Sequence, residues 1–316
     1  MKLFEFDKYF PDEESCKAKF KEIRDKQGVT CPKCGCQRHY WKTSKEMYQC
    51  AKCGCRQSLK AHTVMHGSKL PFRYWFISMH LLTATKHSFS AAEIQQQLEH
   101  KRYQPVWELL HKLRSVMGKR DDEYTLCGNV EMDEGFFTTQ IPEELKGEKL
   151  KAGVGSQRQT KVAVMAETKE SLKPKKGQKL TKVSYIKMIV VEDLLSETIG
   201  KIAGDNIESE SKVITDGSTS HVKFKKLFSE HKSQVIKPKD IGKVLPWVHI
   251  AISNSKSLLR DIHHGISPEF LQNYLNEFCY KFNRRYFGEN LLDRLIITST
   301  SYKSDFEHRL YNKNAA

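Results

Sequence analysis

Two stretches of this sequence place acidic residues at the ends of short apolar runs that read as strands. The first, VEMDEGFF at residues 130–137, contains Asp133 and Glu134. The second, KVITDG at residues 212–217, carries Asp216 directly before a glycine. Aspartates at the ends of two buried strands are typical of a site that gathers carboxylates around a divalent cation. Mg²⁺ suits such a site because it takes hard oxygen ligands and leaves positions open for water and phosphate oxygens.

The charge of the chain indicates a polyanionic partner. Among 316 residues, 53 are Lys or Arg and 38 are Asp or Glu, which gives a formal net charge of +15. This excess favours nucleic acid as the partner, although a ribosome-like or merely soluble basic protein has a similar balance. No run of about 18 apolar residues is present, and the N-terminus has no apolar signal region. We therefore expect a cytoplasmic protein whose nine cysteines are thiols or metal ligands rather than disulfides.

Six cysteines lie within residues 31–55, and four of them form two short knuckles with the spacing of a zinc ribbon. Each knuckle holds a C-x2-C pair, and fifteen residues separate the two pairs. The predicted ligands are Cys31, Cys34, Cys50 and Cys53. Four thiolates close a tetrahedral site without an open position, so one structural Zn²⁺ is expected there. A further cysteine follows each knuckle, Cys36 and Cys55, and these two leave the choice of ligands less certain.

Between the two knuckles, cationic and aromatic residues alternate. They are Arg38, His39, Tyr40, Trp41, Lys42, Lys45 and Tyr48. Such a surface suits contact with DNA. The same Tyr and Trp side chains would equally serve as the core of so small a ribbon, and the pattern leaves both interpretations open.

Residues 62–120 have the periodicity of helices. One helix is predicted over residues 70–84, with Pro71 in its first turn. A second follows the capping box at Ser90 and runs to about Leu98. A third is predicted to begin near Pro105 and to end at Gly118. Two short helices joined by a basic turn resemble a helix-turn-helix, and a small helical bundle that links domains fits the pattern equally well.

From residue 128 the pattern changes to strands. Three strands are predicted first, then a helix, a strand, a basic helix and a short strand: these span 130–137, 161–166, 183–191, 192–207, 212–215, 223–231 and 234–236. This is the order of an RNase H-like α/β fold, a mixed sheet flanked by helices in which the first and fourth strands are neighbours. Asp133 and Asp216 would then meet. The lysine-rich segments 167–182 and 222–243 are either solvated or face DNA.

The segment 247–261 is predicted to form a helix. Ile250, Asn254, Leu258 and Asp261 fall on one face of it. Asn254 is therefore expected to offer its side-chain carbonyl oxygen as a ligand beside two apolar anchors. A further helix is predicted from Ser267, and most of its apolar face is expected to be core.

These features together resemble a known family. They are the ribbon, the helical linker, VEMDEGFF, VITDG, and above all WVHIAISNSKSLL at 247–259 and HHGISPEFLQNYLNEFCYKFNRRYFG at 263–288. The chain resembles the zinc-ribbon, ISXO-type transposases of insertion sequences over about residues 15–288. The resemblance implies an RNase H-like recombinase of the DDE type, whose third acidic position is Asn in many members. It assigns Asp133 and Asp216 as the two acids, Asn254 as the third position and Lys256 as the basic residue that accompanies it.

The resemblance also implies cofactors and a mechanism. Two Mg²⁺ ions, or Mn²⁺ in their place, would be held with Asp133 shared and with Asp216 and Asn254 each on one side. Because Asn supplies an oxygen without a charge, the second ion would be bound more weakly. Asp261 is then a candidate substitute for Asn254, and Glu134 is expected to have a minor role.

Double-stranded DNA is the implied partner, both as the terminal inverted repeats of the element and as a target. A homodimer or larger assembly on DNA and a prokaryotic, nucleoid-associated location are expected. Two other classes remain open: an RNase H-like nuclease that cuts without joining, and a DNA-binding relative that has lost catalysis. We expect four segments, namely 1–60 (N-terminal helix and ribbon), 61–122 (helical linker), 123–290 (catalytic domain) and 291–316 (tail).

Overall fold

The structure, a computed structural model, describes residues 1–141, 145, 147, 150–151, 156–171, 181–235, 244–263 and 265–306. The chain packs as two compact units, residues 1–120 with 285–316, and residues 121–284. Each unit is described by itself. None of the helices in the described ranges has the length and apolar composition needed to cross a bilayer.

The first unit contains a small three-stranded sheet, together with helices that precede and follow this sheet in the chain. Its elements are α1 (Leu3–Tyr9), α2 (Glu13–Gln27), β1 (His39–Lys42), β2 (Met47–Cys50), β3 (Arg56–Ser58), α3 (Phe72–Ala84), α4 (Ala91–Gln97), α5 (Tyr103–Asp122) and α10 (Leu291–Ser301). Strands β1, β2 and β3 pair antiparallel in that order. Helix α10 packs against α2 and α3, and it lies within the range 291–316 that was expected to be a tail.

The aromatic residues of the ribbon have a packing role in this unit. Tyr48 is buried, and its hydroxyl donates to Asp25 of α2 at 2.6 Å. Trp41 meets Tyr48 edge to face, with 4.9 Å between ring centroids, and Lys21 lies over the Trp41 ring. Of the two interpretations left open by the sequence, the structure supports core packing for these two rings, whereas Tyr40 is exposed.

The predicted helices of the linker are present, with one difference. Ser90 and Glu93 form the expected capping box, in which each side chain accepts from the other residue's backbone N–H. Helix α5, however, does not end at Gly118 but continues to Asp122. A glycine inside a helix costs only about 1 kcal/mol. The turn beyond it is retained because Asp121 is buried and accepts hydrogen bonds from Arg284 and Tyr185.

The second unit is built on a five-stranded mixed sheet. Its strands are β4 (Asn129–Thr138), β5 (Gln159–Glu170), β6 (Thr181–Val191), β7 (Lys212–Asp216) and β8 (Glu230–Gln234). The order across the sheet is β6-β5-β4-β7-β8. Strand β4 pairs antiparallel with β5 and parallel with β7. This is the RNase H-like order, with the first and fourth strands adjacent, and it confirms the predicted α/β class.

Helices cover both faces of this sheet. They are α6 (Ser196–Asn206), α7 (Phe224–Leu227), α8 (Pro246–Ile262) and α9 (Leu271–Asn283). One apolar cluster joins α8 and α9 to residues such as Phe137 and Val164 on one face. A second cluster joins α6 and α7 to Met132 and Val213 on the other. Successive residues of a strand point to opposite faces, so β4 contributes to both clusters.

The basic segment after β7 differs from its prediction. The helix expected over 223–231 is the single turn α7, and the strand expected at 234–236 begins earlier, as β8 at Glu230. Phe224 and Phe228 are buried in the cluster under α6. The chain turns back directly after α7, and β8 then pairs with β7. Residues 172–180 and 236–243 of the lysine-rich segments lie outside the described residues.

Candidate functional site

The two predicted acids come together at the carboxyl ends of β4 and β7. The parallel pairing of these strands runs to Met132 opposite Thr215, so Asp133 and Asp216 follow at the next position of each strand. Their charges interact, since Asp216 contributes to raising the pKa of Asp133. The topology therefore brings together the two carboxylates that the sequence singled out.

Asp133 has an environment that disfavours its own charge. Burial chiefly raises its pKa, to about 6; the backbone N–H of Glu134 works against this, and the neighbouring charges of Asp216 and Glu134 add to it. A nearby divalent cation would supply the missing positive charge and favour the ionised form. The donor set of carboxylate oxygens thus fits a hard divalent cation.

A buried histidine links Asp216 to the neighbour of Asp133. His221 Nδ1 lies 3.1 Å from Asp216 Oδ1, and its Nε2 lies 3.0 Å from Glu134 Oε1. Burial alone would lower the pKa of His221, but the two carboxylates raise it to about 9. Conversely, His221 is the main cause of the lowered pKa of Asp216. Potential ligand atoms of Glu134, Asp216 and His221 all lie within 4.8 Å of one another.

Helix α8 is fixed over β4 beside this site. Glu131 is buried and accepts from the backbone N–H groups of Trp247 and Val248, at 2.8 and 3.1 Å. These N–H groups belong to the first turn of the helix, where no carbonyl of the helix itself can accept them. Further along, Gly135 gives space to Ile252, because a Cβ atom built on Gly135 would lie 3.4 Å from Ile252 Cγ1 and 3.0 Å from Phe137 Cε2.

The α8 residue that lies against Asp133 is His249. Its Nδ1 is 3.8 Å from Asp133 Oδ2, and it interacts electrostatically with Asp216. Asn254 is exposed and, at 100° per residue, stands about 140° round the helix from His249. No hydrogen bond or ion pair within the described residues joins Asn254 to Asp133 or Asp216. Asp261 is about 18 Å from His249 along the helix axis, which separates it from the carboxylate pair.

The face of α8 that holds Asn254 also differs from its prediction. Ile250 is exposed, whereas the buried residues of the helix are Val248, Ala251, Ser255 and Leu259. Lys256 is partly buried, and its Nζ lies 5.5 Å from the centre of the Phe137 ring. Burial and the charge of Arg260 lower the pKa of Lys256. Because Lys256 follows His249 by seven residues, close to two helical turns, the two side chains lie on the same edge of the helix.

Sequence reasoning did not single out His221 or His249, and the minor role that it expects for Glu134 stays a prediction. One signal was available for His221, which lies five residues after Asp216 in a short polar turn. Ser218 begins that turn by donating its backbone N–H to Asp216 Oδ1 at 3.0 Å. A histidine that follows a strand-ending aspartate through such a turn can reach back to the carboxylate.

The four cysteines of the ribbon converge as predicted. The Sγ atoms of Cys31, Cys34, Cys50 and Cys53 lie within 4.8 Å of one another, with 3.5 Å between Cys31 and Cys53 and 3.6 Å between Cys34 and Cys50. Sulfurs at 2.3 Å from a tetrahedral Zn²⁺ are about 3.8 Å apart, so the cluster fits a structural zinc ion. Cys36 and Cys55 are not among the four.

The knuckle geometry explains why a glycine follows each cysteine pair. Gly35 and Gly54 have φ of 68° and 70°, a left-handed backbone that glycine adopts without a steric penalty. Their N–H groups donate to Cys31 O and Cys50 O, at 2.9 and 3.0 Å. The neighbouring N–H of Cys53 is the main cause that lowers the pKa of Cys50, to about 6. Such a thiol is readily available as a thiolate ligand.

Comparison with protein families identifies the unit that carries the carboxylates. Residues 125–283 match the model of the ISXO2-like transposase domain, a range that covers half of the chain. The chain belongs to this transposase family. Residues 11–57 of this transposase-family protein also match the transposase zinc-ribbon domain, and this range contains all four converging cysteines.

The sequence of this transposase-family protein matches no curated protein. A solved structure described as a pre-cleavage Mos1 transpososome is similar over 77% of this chain and 82% of that chain, with 13% sequence identity and a TM-score of 0.28. A TM-score this low carries no argument about the fold.

Proposed function

We propose that this protein is a DNA transposase that cleaves the ends of its insertion sequence and joins them to a target, with Mg²⁺ as the catalytic metal. The observation that carries the proposal is the meeting of Asp133 and Asp216 at the ends of adjacent central strands, in a chain of transposase family. Terminal inverted repeats are the proposed substrate. The excess of basic residues supports a DNA partner, and synapsis of two ends calls for a homodimer or larger assembly.

Asp133 and Asp216 would hold the metal. A divalent cation bound there supplies charge neutralisation at the scissile phosphate and lowers the pKa of an attacking water. The protein's own contribution is to fix the two carboxylates on β4 and β7, with His221 restraining Asp216. Lys256 is proposed to counter phosphate charge on the bound DNA strand. No side chain is needed as a covalent nucleophile.

Two residues compete for the third ligand position. The family motif proposes Asn254, whose side-chain oxygen carries no charge. The second is His249, whose Nδ1 lies 3.8 Å from Asp133 Oδ2, although an imidazole nitrogen suits Mg²⁺ less well than an oxygen ligand does. Substitution of each in turn separates these two assignments, since the true ligand sets the concentration of Mg²⁺ that the reaction needs.

The test uses duplexes that carry the inverted repeats flanking the coding region, either intact or already cut at the end. With Mg²⁺ and a target plasmid, we expect strand cleavage of the intact duplex and joined products from the cut one. Release of ends without joined products would identify a nuclease instead. Asp133→Ala should bind the duplex and leave it uncut. Binding without Mg²⁺-dependent cleavage by the unaltered protein would identify a degraded, DNA-binding relative.

A further inference from the structure

A cationic cleft begins beside the carboxylate site, on the same edge of α8. It has a volume of about 500 Å³. Its lining residues are Phe136, Phe137, Thr138, Thr139, Gln140, Gln159, Lys256, Leu259, Arg260, His263, Gly265 and Ile266. Among the described residues that line the cleft, none is acidic, whereas one is a lysine, one an arginine and one a histidine. A cleft of this composition attracts an anion.

The two cations of the cleft lie one helical turn apart on α8. Because Lys256 and Arg260 are four residues apart, their positive charges face one another and repel. No ion pair involves Lys256 or Arg260 within the ranges that the structure describes. An anion placed between them would relieve this mutual repulsion.

The position of the cleft relates it to the reaction. His249, Lys256 and Arg260 fall within about 40° of one another around α8, and they rise about 10 and 16 Å along it. On β4, Asp133 and Phe137 lie four residues apart on the same face, about 13 Å. The cleft therefore lies within the reach of a strand whose scissile phosphate is held at the carboxylates.

We propose that this cleft binds the DNA backbone, a few nucleotides from the scissile phosphate, through Lys256 and Arg260. The inference rests on the proposed function and specifies the path of the substrate strand at the same site. The hydroxyl of Thr138, at the exposed end of β4, is suited to a further hydrogen bond with a phosphate oxygen. The contact would hold the strand in register with the carboxylates and would carry no sequence preference.

Arg260→Ala is the primary test, because Arg260 is exposed and its truncation removes little packing. Lys201→Ala is the matched control, since Lys201 is an exposed cation of α6. Three duplexes are compared: a full one, one shortened to a single nucleotide on the 5′ side of the scissile phosphate, and one shortened in the same way on the 3′ side. Affinity is measured as a function of salt, and the Mg²⁺-dependent cleavage rate is measured on each duplex.

On the full duplex, Arg260→Ala should weaken binding about tenfold and reduce the slope of log affinity against log salt by about one. Both effects should disappear on one of the truncated duplexes, which identifies the side that the cleft binds. An undiminished loss on both truncated duplexes, or an equal loss for Lys201→Ala, would overturn the inference. Failure of the unaltered protein to cleave is a separate outcome and contradicts the proposed function. In that case, the salt dependence of binding still tests whether the cleft binds the DNA backbone.

Discussion

His221 Nδ1 lies 3.1 Å from Asp216 Oδ1 while the other ring nitrogen lies 3.0 Å from Glu134. The ring is buried and packs against Phe224, so it has little freedom to leave these two carboxylates. His221 therefore connects the end of β7 to the end of β4, on which Asp133 lies. We regard it as a positioning residue for the carboxylate site.

Replacing His221 should weaken the metal site more than it weakens the fold. His221→Gln should raise the Mg²⁺ concentration needed for half-maximal cleavage about tenfold, because Asp216 loses its restraint. His231→Gln is the matched control. His231 also packs against Phe224, but its hydrogen bond is with the Thr215 hydroxyl and it contacts neither carboxylate. An equal rise in the two variants would show that only general packing was lost.

The third ligand position gives a second prediction. If the geometry of α8 decides, His249→Ala should raise the required Mg²⁺ concentration, and Asn254→Ala should leave it unchanged because Asn254 is exposed and turned away from Asp133. If the family motif identifies the ligand, Asn254→Ala should raise the required Mg²⁺ concentration and His249→Ala should leave it unchanged. The measurement is the Mg²⁺ dependence of the cleavage rate for each variant, with DNA affinity recorded beside it.

Zinc should be stoichiometric and specific to four of the ribbon cysteines. We expect one zinc ion per chain by elemental analysis, and Cys50→Ser should reduce this content strongly, because a hydroxyl is a poor substitute for a thiolate ligand. Cys36→Ser should keep the zinc, since the Cys36 thiol contacts Arg38 O and lies outside the cluster. Loss of zinc in Cys36→Ser would place that cysteine among the ligands.

A buried carboxylate away from the site makes stability depend on pH. Burial alone would raise the pKa of Glu167, but hydrogen bonds from Ser184 Oγ, Cys127 N–H and Tyr124 Oη lower it. Its stabilising contribution is therefore present above the ordinary pKa of 4.5 and is lost as the pH falls through the lower folded-state pKa.

Glu167→Gln should cost about 2 kcal/mol of local stability at pH 7, read from hydrogen exchange of the β5 amides. The difference from the unaltered protein should shrink as the pH falls below 4.5. Glu170→Gln, at the exposed end of the same strand, serves as the control and should show no such difference. A difference for Glu167→Gln that is constant with pH would contradict the assignment.

The sequence was sufficient for the strand order because β-formers alternate with turns, and because two strands end in the same way at Asp133 and Asp216. It misplaced the buried face of α8 for a physical reason. The large apolar residues Ile250 and Leu258 suggested one face, whereas the buried face includes the small residues Ala251 and Ser255. Small residues allow the helix to lie close to the sheet. Ser255 satisfies its buried hydroxyl by donating to Ala251 O at 2.8 Å.

Contacts between distant residues could not be predicted from local pattern. Glu131 reads as an ordinary strand residue, and only the folded chain shows that it accepts from the first turn of α8, which begins more than a hundred residues later. The pairing of His221 with Glu134 is of the same kind. Each depends on which strands are neighbours, so a single sequence reveals these residues only after the topology is known.

The central claim is that Asp133 and Asp216 together bind the catalytic cation. The most direct test counts Mn²⁺ ions by electron paramagnetic resonance on the zinc-loaded protein in complex with pre-cut end DNA. We predict that Asp133→Asn and Asp216→Asn each lose bound Mn²⁺ while the DNA remains bound. Both variants binding as much Mn²⁺ as the unaltered protein would contradict the account.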